Sequence, residues 1–333
     1  MSVNVRQISD PERWNELQEL APEATPFHRF EALREMARHS GGELTPFAGF
    51  YEGDPVGLFP VFERRYGPIR TAFSPPPDLK VSYLGPALLD PGRRSQVERL
   101  RTRFVDAVEE RLRERGVAYA HVRSTPAYDD PRPFVWNGYE ARPRFTYVVD
   151  LDQSEEDLFR SFSGDLRENI RDGRDRDVAV ERGGVDAIDP IFDRLHARHE
   201  EQGIRFPVSA EFARDLYRAL PDGTMRTYVC RSDGRAVGGQ ITLEDDRHVY
   251  AWQGVGDHDA DVAVNDHLDW HVMREAMDRG VPRYDLVGAN NQRLCNYKAK
   301  FAPDVREYFA LERSSTVLDM LKRGYRWIDA RRE

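Results

Sequence analysis

Apolar and polar positions alternate in two separate stretches of the chain, and in each a glycine-containing turn divides the alternation into two runs. The stretches are residues 47–67, FAGFYEGDPVGLFPVFERRYG, and residues 226–256, RTYVCRSDGRAVGGQITLEDDRHVYAWQGVG. A period of two places the apolar side chains on one face of a β-strand, and glycine tolerates the positive φ of a tight turn. Both stretches therefore predict a β-hairpin.

An amphipathic helix is predicted after each hairpin. In residues 95–116 and again in residues 265–280, apolar positions recur at helical spacing and a glycine closes the segment. Asn265 is a typical capping residue, so we expect the second helix to start there. A β-type run follows each helix, and both halves share the order hairpin, helix, strand. Because 333 residues exceed one ordinary core, we expect two repeated domains, residues 1–147 and 148–333.

The segment between the two halves is predicted to be helical before it becomes extended. Ser154 precedes Asp157 by three residues, which is typical of a capped helix start. A second helix then carries Arg167, Arg171 and Arg174 on one face. A short strand and further helices follow. The predicted fold class is α/β (α+β), with two tandem domains that each contain a mostly antiparallel mixed sheet flanked by helices.

Charge and composition exclude several classes of protein. The net charge of −9 disfavours DNA as a partner, because nucleic-acid-binding proteins usually present a basic face. No run approaches the roughly 20 apolar residues of a membrane span, and the first residues lack the pattern of a signal peptide. We therefore expect a cytoplasmic, acidic protein. Cys230 and Cys295 lie far apart and form neither a metal-binding pair nor a disulfide framework, so no metal is expected.

Four segments, taken in order, resemble a known family. They are LRENIRDGRDRDVAVERG, VGGQITLEDDRHVYAWQG, VNDHLDWHVMREAMDRGVPRYDLVG and NYKAKFAPDV. The ordered set is similar to the GNAT acyltransferase fold, and a tandem pair of such domains resembles the Fem family of aminoacyl transferases and its acetyltransferase-like relatives. The resemblance covers residues 145–315 well and the first half only through the repeat. It implies an acyltransferase whose second domain carries the site.

One segment departs from the pattern of acetyl-CoA-using relatives. Those enzymes carry a glycine-rich loop before a helix, where backbone N–H groups bind a pyrophosphate. Here the segment is QGVGDHDADVAVND, in which acidic residues follow Gly254 and Gly256. Negative charge repels a pyrophosphate. No cofactor is therefore firmly implied, and acetyl-CoA and aminoacyl-tRNA both stay open as donor substrates.

The lysines of the chain are few and unevenly placed. Only four occur, at Lys80, Lys298, Lys300 and Lys322, against 49 lysines and arginines together. If the segment of residues 294–305 is extended, a period of two puts Lys298 and Lys300 on one face as an anion site, although lysine also commonly protects an exposed strand edge. The resemblance places a lysine of this segment near the transferred group.

The remaining candidates surround this segment in the predicted fold. The predicted catalytic residues are Asp285, Tyr297 and Lys298, with Asp285 as a base and Tyr297 as a proton donor to a leaving group. Asp285 equally fits a role in anchoring a loop. The predicted substrate-binding residues are Lys300, Arg167, Arg171, Tyr250 and Trp252. For the arginines, neighbouring aspartates make a salt-bridged surface an alternative.

Three functions remain open at this point. The first is an N-acyltransferase that moves an acyl or aminoacyl group to an amine acceptor, which the Fem resemblance extends to a cell-envelope precursor or a peptide. The second is a CoA-dependent N-acetyltransferase of a small amine. The third is a non-catalytic binding protein built from two degenerate domains.

Overall fold

The computed structural model describes residues 2–90, 94–175 and 178–315. The chain divides into two compact units. The first comprises Met1–Pro77, Val81–Pro143 and Tyr308–Glu333, and the second comprises Asp78–Lys80 and Arg144–Glu307. The chain thus leaves the first unit near Pro143 and returns to it at Tyr308, so its last described strand belongs largely to the first unit.

The first unit is built from both strands and helices. Its strands are β1 (Asn4–Gln7), β2 (Glu43–Tyr51), β3 (Asp54–Tyr66), β4 (Ile69–Ser74), β5 (Ala87–Leu88) and β6 (Val117–Arg123). Its helices are α1 (Pro11–Glu19), α2 (Phe30–Ser40), α3 (Arg94–Glu114) and α4 (Arg132–Trp136), and a 3₁₀ turn spans Pro26–His28.

The second unit begins within β7 and contains most of the remaining elements. Its strands are β7 (Glu140–Asp150), β8 (Ala179–Gly183), β9 (Met225–Ser232), β10 (Arg235–Glu244), β11 (Val249–Gly256), β12 (Arg283–Asp285) and β13 (Asp304–Ser314), the last shared with the first unit. Its helices are α5 (Glu155–Ser161), α6 (Gly164–Asp175), α7 (Ile188–Glu201), α8 (Ala210–Ala219), α9 (Val264–Asp278) and α10 (Gln292–Lys298). Two 3₁₀ turns span Val185–Ala187 and Ala299–Phe301.

The two units repeat one pattern of strand pairing. The order is β1-β2-β3-β4-β6-β13 in the first unit and β8-β9-β10-β11-β12-β7 in the second. In each order a single neighbouring pair is parallel, β4 with β6 and β11 with β12, and the other pairs are antiparallel. A long helix joins each parallel pair, because parallel strands need a crossover connection. The predicted mostly antiparallel mixed sheet with flanking helices is confirmed.

The two predicted hairpins form at the expected turns. The β2–β3 turn has positive φ at Glu52 and Gly53, and the β9–β10 turn has positive φ at Asp233 and Gly234. Two successive residues of positive φ match the twist of the flanking strands. The predicted cap of α9 is wrong by a short distance, because the helix begins at Val264 and not after Asn265.

Each unit has its own apolar core. In the first, the ring of Phe104 from α3 lies against β2 and β3, where a Cβ at Gly49 or Gly57 would overlap it. In the second, α9 contributes Leu268, Val272 and Met273 to a core that also includes residues of α5, α6 and the central strands. One face of α9 is therefore buried, and the polar residues on that face lie next to the neighbouring strands.

Candidate functional site

The parallel strands β11 and β12 separate after a short contact. They pair at only two positions, Val249 with Tyr284 and Tyr250 with Asp285. β12 ends at Asp285, whereas β11 continues to Gly256. In the described part of the chain, residues 251–256 other than Trp252 are therefore paired with β10 on one side, and no strand pairs with them on the other. We call the space beside these residues the strand gap.

A β-bulge lies in β11 beside the strand gap. Gln253 pairs with Ile241 and Ala251 pairs with Thr242, so Trp252 is an extra residue on β11. A bulge leaves its extra residue out of the hydrogen-bond ladder and is over-represented next to active sites. The indole of Trp252 is buried, donates from Nε1 to the carbonyl of Lys80 at 3.1 Å, and meets Phe212 edge-on.

Asp285 closes β12 and holds the chain that follows. Its buried Oδ1 accepts hydrogen bonds from the hydroxyl of Thr146 at 2.6 Å and from the N–H of Val287 at 2.7 Å. The same threonine oxygen accepts from the N–H of Gly288 at 2.9 Å. Val287 and Gly288 both have positive φ, which for a β-branched residue such as Val287 is uncommon. The contacts of Asp285 thus match the loop-anchoring alternative.

The anchored loop presents two carbonyl groups to Lys298. The ammonium donates to the carbonyl of Val287 at 2.9 Å and to that of Gly288 at 2.8 Å. Burial lowers the pKa of Lys298, while the nearby Asp269, Asp285 and Cys295 partly oppose that effect. The side chain is therefore a half-buried amine beside the chain that leaves β12.

The prediction that Lys298 and Lys300 share one face of an extended segment is wrong. Lys298 ends helix α10, and Lys300 lies in the 3₁₀ turn that follows. Lys300 instead forms an ion pair with Asp165 of α6 at 2.8 Å, and the hydrogen bond from Lys300 lowers the pKa of that carboxyl to about 2. In helical geometry two residues at i and i+2 point in different directions, so the two cations have separate partners.

Tyr297 contacts a buried acid that the sequence did not single out. Its hydroxyl donates to Oδ2 of Asp269 at 2.7 Å. Oδ1 of Asp269 accepts from the hydroxyl of Tyr284 at 2.6 Å and from Nε2 of Gln240 at 2.8 Å. Burial, together with the charge of Asp269, raises the pKa of both tyrosines well above the usual value. We call Gln240, Asp269, Tyr284 and Tyr297 the Asp269 cluster.

A second buried acid lies one helical turn before Asp269. Asp266 accepts a hydrogen bond from Asn169 of α6 at 2.7 Å, and burial raises the pKa of its carboxyl. The signal that pointed to these two acids was present in the sequence, since Asp266 and Asp269 interrupt the apolar face of the predicted helix at a spacing of three. A buried carboxylate on such a face marks a polar network or a functional site.

The other predicted binding residues are more dispersed. Arg167 donates to the carbonyl of Arg160 at 3.4 Å, and Arg171 is exposed with its guanidinium 5.4 Å above the ring of Phe159. The side chain of Arg174 lies outside the described residues. Tyr250 is buried and stacks on His248 at 5.6 Å. The structure brings Lys298, Tyr297 and Asp285 together, whereas Arg171 lies on the surface.

The loop between β11 and α9 carries negative charge. Asp257, His258 and Asp259 place their side-chain oxygen and nitrogen atoms within 4.8 Å of one another. At the start of α9, the N–H groups of Val264 and Asp266 donate to the carbonyls of Val262 and Ala263. These donors are thus occupied by the chain itself, and the adjacent acids disfavour a phosphate there.

Comparison with known proteins identifies the second unit. Residues 160–299 match the family model described as "Acetyltransferase (GNAT) domain". The chain carries a GNAT acyltransferase domain. The match includes the strand gap, the Asp269 cluster and Lys298, and it supports an acyltransferase. No curated protein matches the sequence.

Solved structures extend the likeness over both units. The chain resembles FemX at 13% identity, with a TM-score of 0.72 over 92% of this chain and 96% of that one. It resembles L-PGS from Bacillus licheniformis at 13% identity, with a TM-score of 0.57 over 95% and 96%. A tandem GNAT protein from the clavulanic acid biosynthesis pathway matches at 15% identity, with a TM-score of 0.56 over 93% and 98%. These likenesses establish a tandem GNAT fold. In the described residues no helix has the length and apolar character needed to cross a membrane.

Proposed function

We propose that this GNAT protein is an N-acyltransferase that moves an acyl or aminoacyl group to an amine acceptor at the strand gap. One observation supports the proposal above the others. Lys298 is held by the carbonyls of Val287 and Gly288, directly after the point where β12 ends and β11 continues with no described strand on that side. A cation, an open strand and a bulge meet there, and acyl transfer needs a bound donor next to a group that stabilises negative charge.

Each predicted catalytic residue has a distinct role in this proposal. Attack of an amine on an acyl carbonyl places negative charge on the carbonyl oxygen, and Lys298 is the cation that stabilises it. Asp285 acts through the loop that it anchors, and its Oδ1 already accepts two hydrogen bonds. Tyr297 already donates to Asp269, so protonation of a leaving group by Tyr297 would first require that bond to break. Trp252 and Tyr250 would border the donor along β11.

The donor that we favour is an aminoacyl group rather than acetyl-CoA. Asp257, Asp259 and Asp261 precede α9, at the place where a GNAT enzyme using CoA would bind a pyrophosphate. A Cβ at Gly238 or Gly256 would also overlap Val264, so the start of that helix packs closely against β10 and β11. Aminoacyl-tRNA carries its acyl group at the end of a long chain and does not need a pyrophosphate site at this helix.

The test is a transfer assay with two donors. Purified protein would receive either acetyl-CoA or charged tRNA together with a panel of small amines and amine-bearing peptides, and products would be detected by mass spectrometry. We expect aminoacylated amines and a loss of about 10²-fold in rate for Lys298→Ala. Arg235→Ala, at the exposed β9–β10 turn, is the control variant and should retain the rate.

Each other result has a defined meaning. Acetylated products with acetyl-CoA, lost in Lys298→Ala, would establish the CoA-dependent N-acetyltransferase and overturn the donor assignment while keeping the site. Equal rates for Lys298→Ala and wild type would overturn the site. The absence of transfer with both donors across the panel would overturn the proposed reaction.

A further inference from the structure

Helix α10 carries Lys298, and its apolar attachment to the second unit is small: the ring of Tyr297 packs against the core and edge-on against Phe301. The helix has only seven residues, and none of them is buried. Helices normally gain most of their stability from a buried apolar face, and a helix this short is not stable alone. The position of α10 therefore depends on polar contacts as well as on the ring of Tyr297. The cap at Asn291 is one such contact, but it lies within the helix start and does not tie the helix to the core.

One polar tie to the core is the hydroxyl of Tyr297. It donates to Asp269, which lies on the buried face of α9 and is 5% exposed. Asp269 is itself fixed by Gln240 of β10 and Tyr284 of β12 through its other oxygen. One carboxylate therefore connects α9, the two strands and α10. The next residue after Tyr297 is Lys298.

This arrangement is costly for stability alone. A buried carboxylate loses its hydration, and an apolar residue of similar volume is often at least as stabilising. The hydrogen-bond donors to Asp269 are neutral, and Lys298 is a cation that interacts with it through space. A group whose burial is unfavourable and whose contacts converge on the segment carrying Lys298 fits a role in placing that segment.

We infer that Asp269 is a positioning residue, which fixes helix α10 through the hydroxyl of Tyr297 and thereby holds Lys298 against the carbonyls of Val287 and Gly288. The importance of Lys298 rests on the proposed function, whereas the mechanical link does not. The link predicts different results for two substitutions, because Tyr284 and Tyr297 donate to the same carboxylate but only Tyr297 belongs to α10. Loss of one hydroxyl should release Lys298, and loss of the other should not.

The test compares Tyr297→Phe with Tyr284→Phe by competitive labelling. Trace acetic anhydride reacts with deprotonated, accessible amines, and peptide mass spectrometry reports the labelling of Lys298 relative to the exposed Lys80. In the wild type we expect Lys298 to be labelled several-fold more slowly than Lys80. Tyr297→Phe should bring the ratio to within about twofold of unity, because Lys298 becomes solvated, while Tyr284→Phe should keep the wild-type ratio.

Hydrogen exchange gives a second measurement on the same variants. Amide exchange of residues 292–298 should accelerate in Tyr297→Phe and should remain at the wild-type rate in Tyr284→Phe. An unchanged labelling ratio and unchanged exchange in Tyr297→Phe would overturn the inference. The same increase in both variants would also overturn it, since that would indicate general destabilisation of the Asp269 cluster.

The two proposals fail separately. The labelling and exchange measurements need no donor or acceptor, so they report on the link even if the reaction is a different one. If Tyr297→Phe releases Lys298 but the transfer assay shows no product, the link stands and the proposed function fails. If transfer depends on Lys298 but the labelling ratio of Lys298 is the same in Tyr297→Phe and the wild type, the function stands and the positioning role of Asp269 fails.

Discussion

Thr146 and Asp285 form a 2.6 Å hydrogen bond between neighbouring strands, and together they hold both N–H groups of the Val287–Gly288 loop. Thr146 lies on β7, and Asp285 is the last residue of β12. The pair therefore acts at the point where β12 stops and the chain turns with positive φ. The turn directs two carbonyls at Lys298, so a contact in the sheet determines the surroundings of the candidate catalytic amine.

Replacing Thr146 with valine should destabilise the second unit by about 1–3 kcal/mol. Valine keeps the volume, but the buried carboxylate of Asp285 loses a donor and the N–H of Gly288 loses its acceptor. Urea unfolding of the variant and the wild type measures the difference. Thr242→Val is the matched control, because the hydroxyl of Thr242 is buried on β10 without a hydrogen-bond partner among the described residues. Equal effects of the two substitutions would contradict the role of Thr146.

Replacing Gly173 with alanine should destabilise the protein although alanine favours helices. A Cβ at this position in α6 would overlap the imidazole of His267 on α9, and such overpacking typically costs about 1–3 kcal/mol. Gly164→Ala in the same helix has open space around the new methyl group and should be neutral or stabilising by up to about 1 kcal/mol. Thermal unfolding separates the two, and a stable Gly173→Ala protein would show that α6 and α9 pack less closely.

Glu23 should make the stability of the first unit depend on pH. Burial raises the pKa of its carboxyl from 4.5 to about 7, despite hydrogen bonds from Leu88 and Arg101. The folded state therefore holds a proton that the unfolded state releases, so this contribution is fully present below pH 4.5 and is lost as the pH rises through 7. Relative to Glu23→Gln, the wild type should lose about 3 kcal/mol between those limits.

Urea unfolding at a series of pH values measures this difference. The substitution Glu110→Gln on the exposed side of α3 serves as the control, because its carboxyl is in solvent. A difference between wild type and Glu23→Gln that stays constant with pH would contradict the raised pKa of Glu23.

Arg313 should be important to the first unit because it faces a buried acid. Its Nε lies 3.0 Å from Oε2 of Glu109, which is fully buried, and Tyr139 donates to the other oxygen of that carboxylate at 2.5 Å. Removing one partner of a buried pair typically costs about 3–5 kcal/mol, and Glu109 would then keep only the more distant Arg113 at 3.9 Å. We expect that loss for Arg313→Met. The double variant with Glu109→Leu should recover most of it in urea unfolding, and no recovery would indicate that Arg313 acts through packing alone.

Local patterns were sufficient for the elements whose shape depends on neighbours in the chain. The hairpins formed where glycine and a charged residue allowed positive φ, and α5 begins with the hydrogen bond between Ser154 and the N–H of Asp157 that the spacing predicted. The repeat was visible because both halves must bury one face of a similar sheet. The cap of α9 was misplaced, because Ala263 is the N-cap and the helix begins one residue before Asn265.

The site shows where local patterns fail. Lys298 and Lys300 have the spacing of one strand face, yet the segment is helical, because Tyr297 and Phe301 pack edge-on at a helical spacing of four. The sequence pattern does not mark Asp269, Gln240 or Thr146 as candidate site residues, because the other residues of their elements form an ordinary amphipathic pattern. Their importance depends on partners that are 28, 29 and 139 residues away in sequence.

The sequence by itself determined the tandem repeat, the hairpins, the acidic loop before α9 and the segment that carries the candidate amine. These features follow from the period of apolar residues, turn chemistry and charge, which act over a few residues. Only the tertiary structure decided that β12 stops while β11 continues, that Asp285 holds a loop, and that Asp269 reaches Tyr297. Such contacts join distant parts of the chain, and a buried carboxylate takes its role from whichever donors the fold places around it.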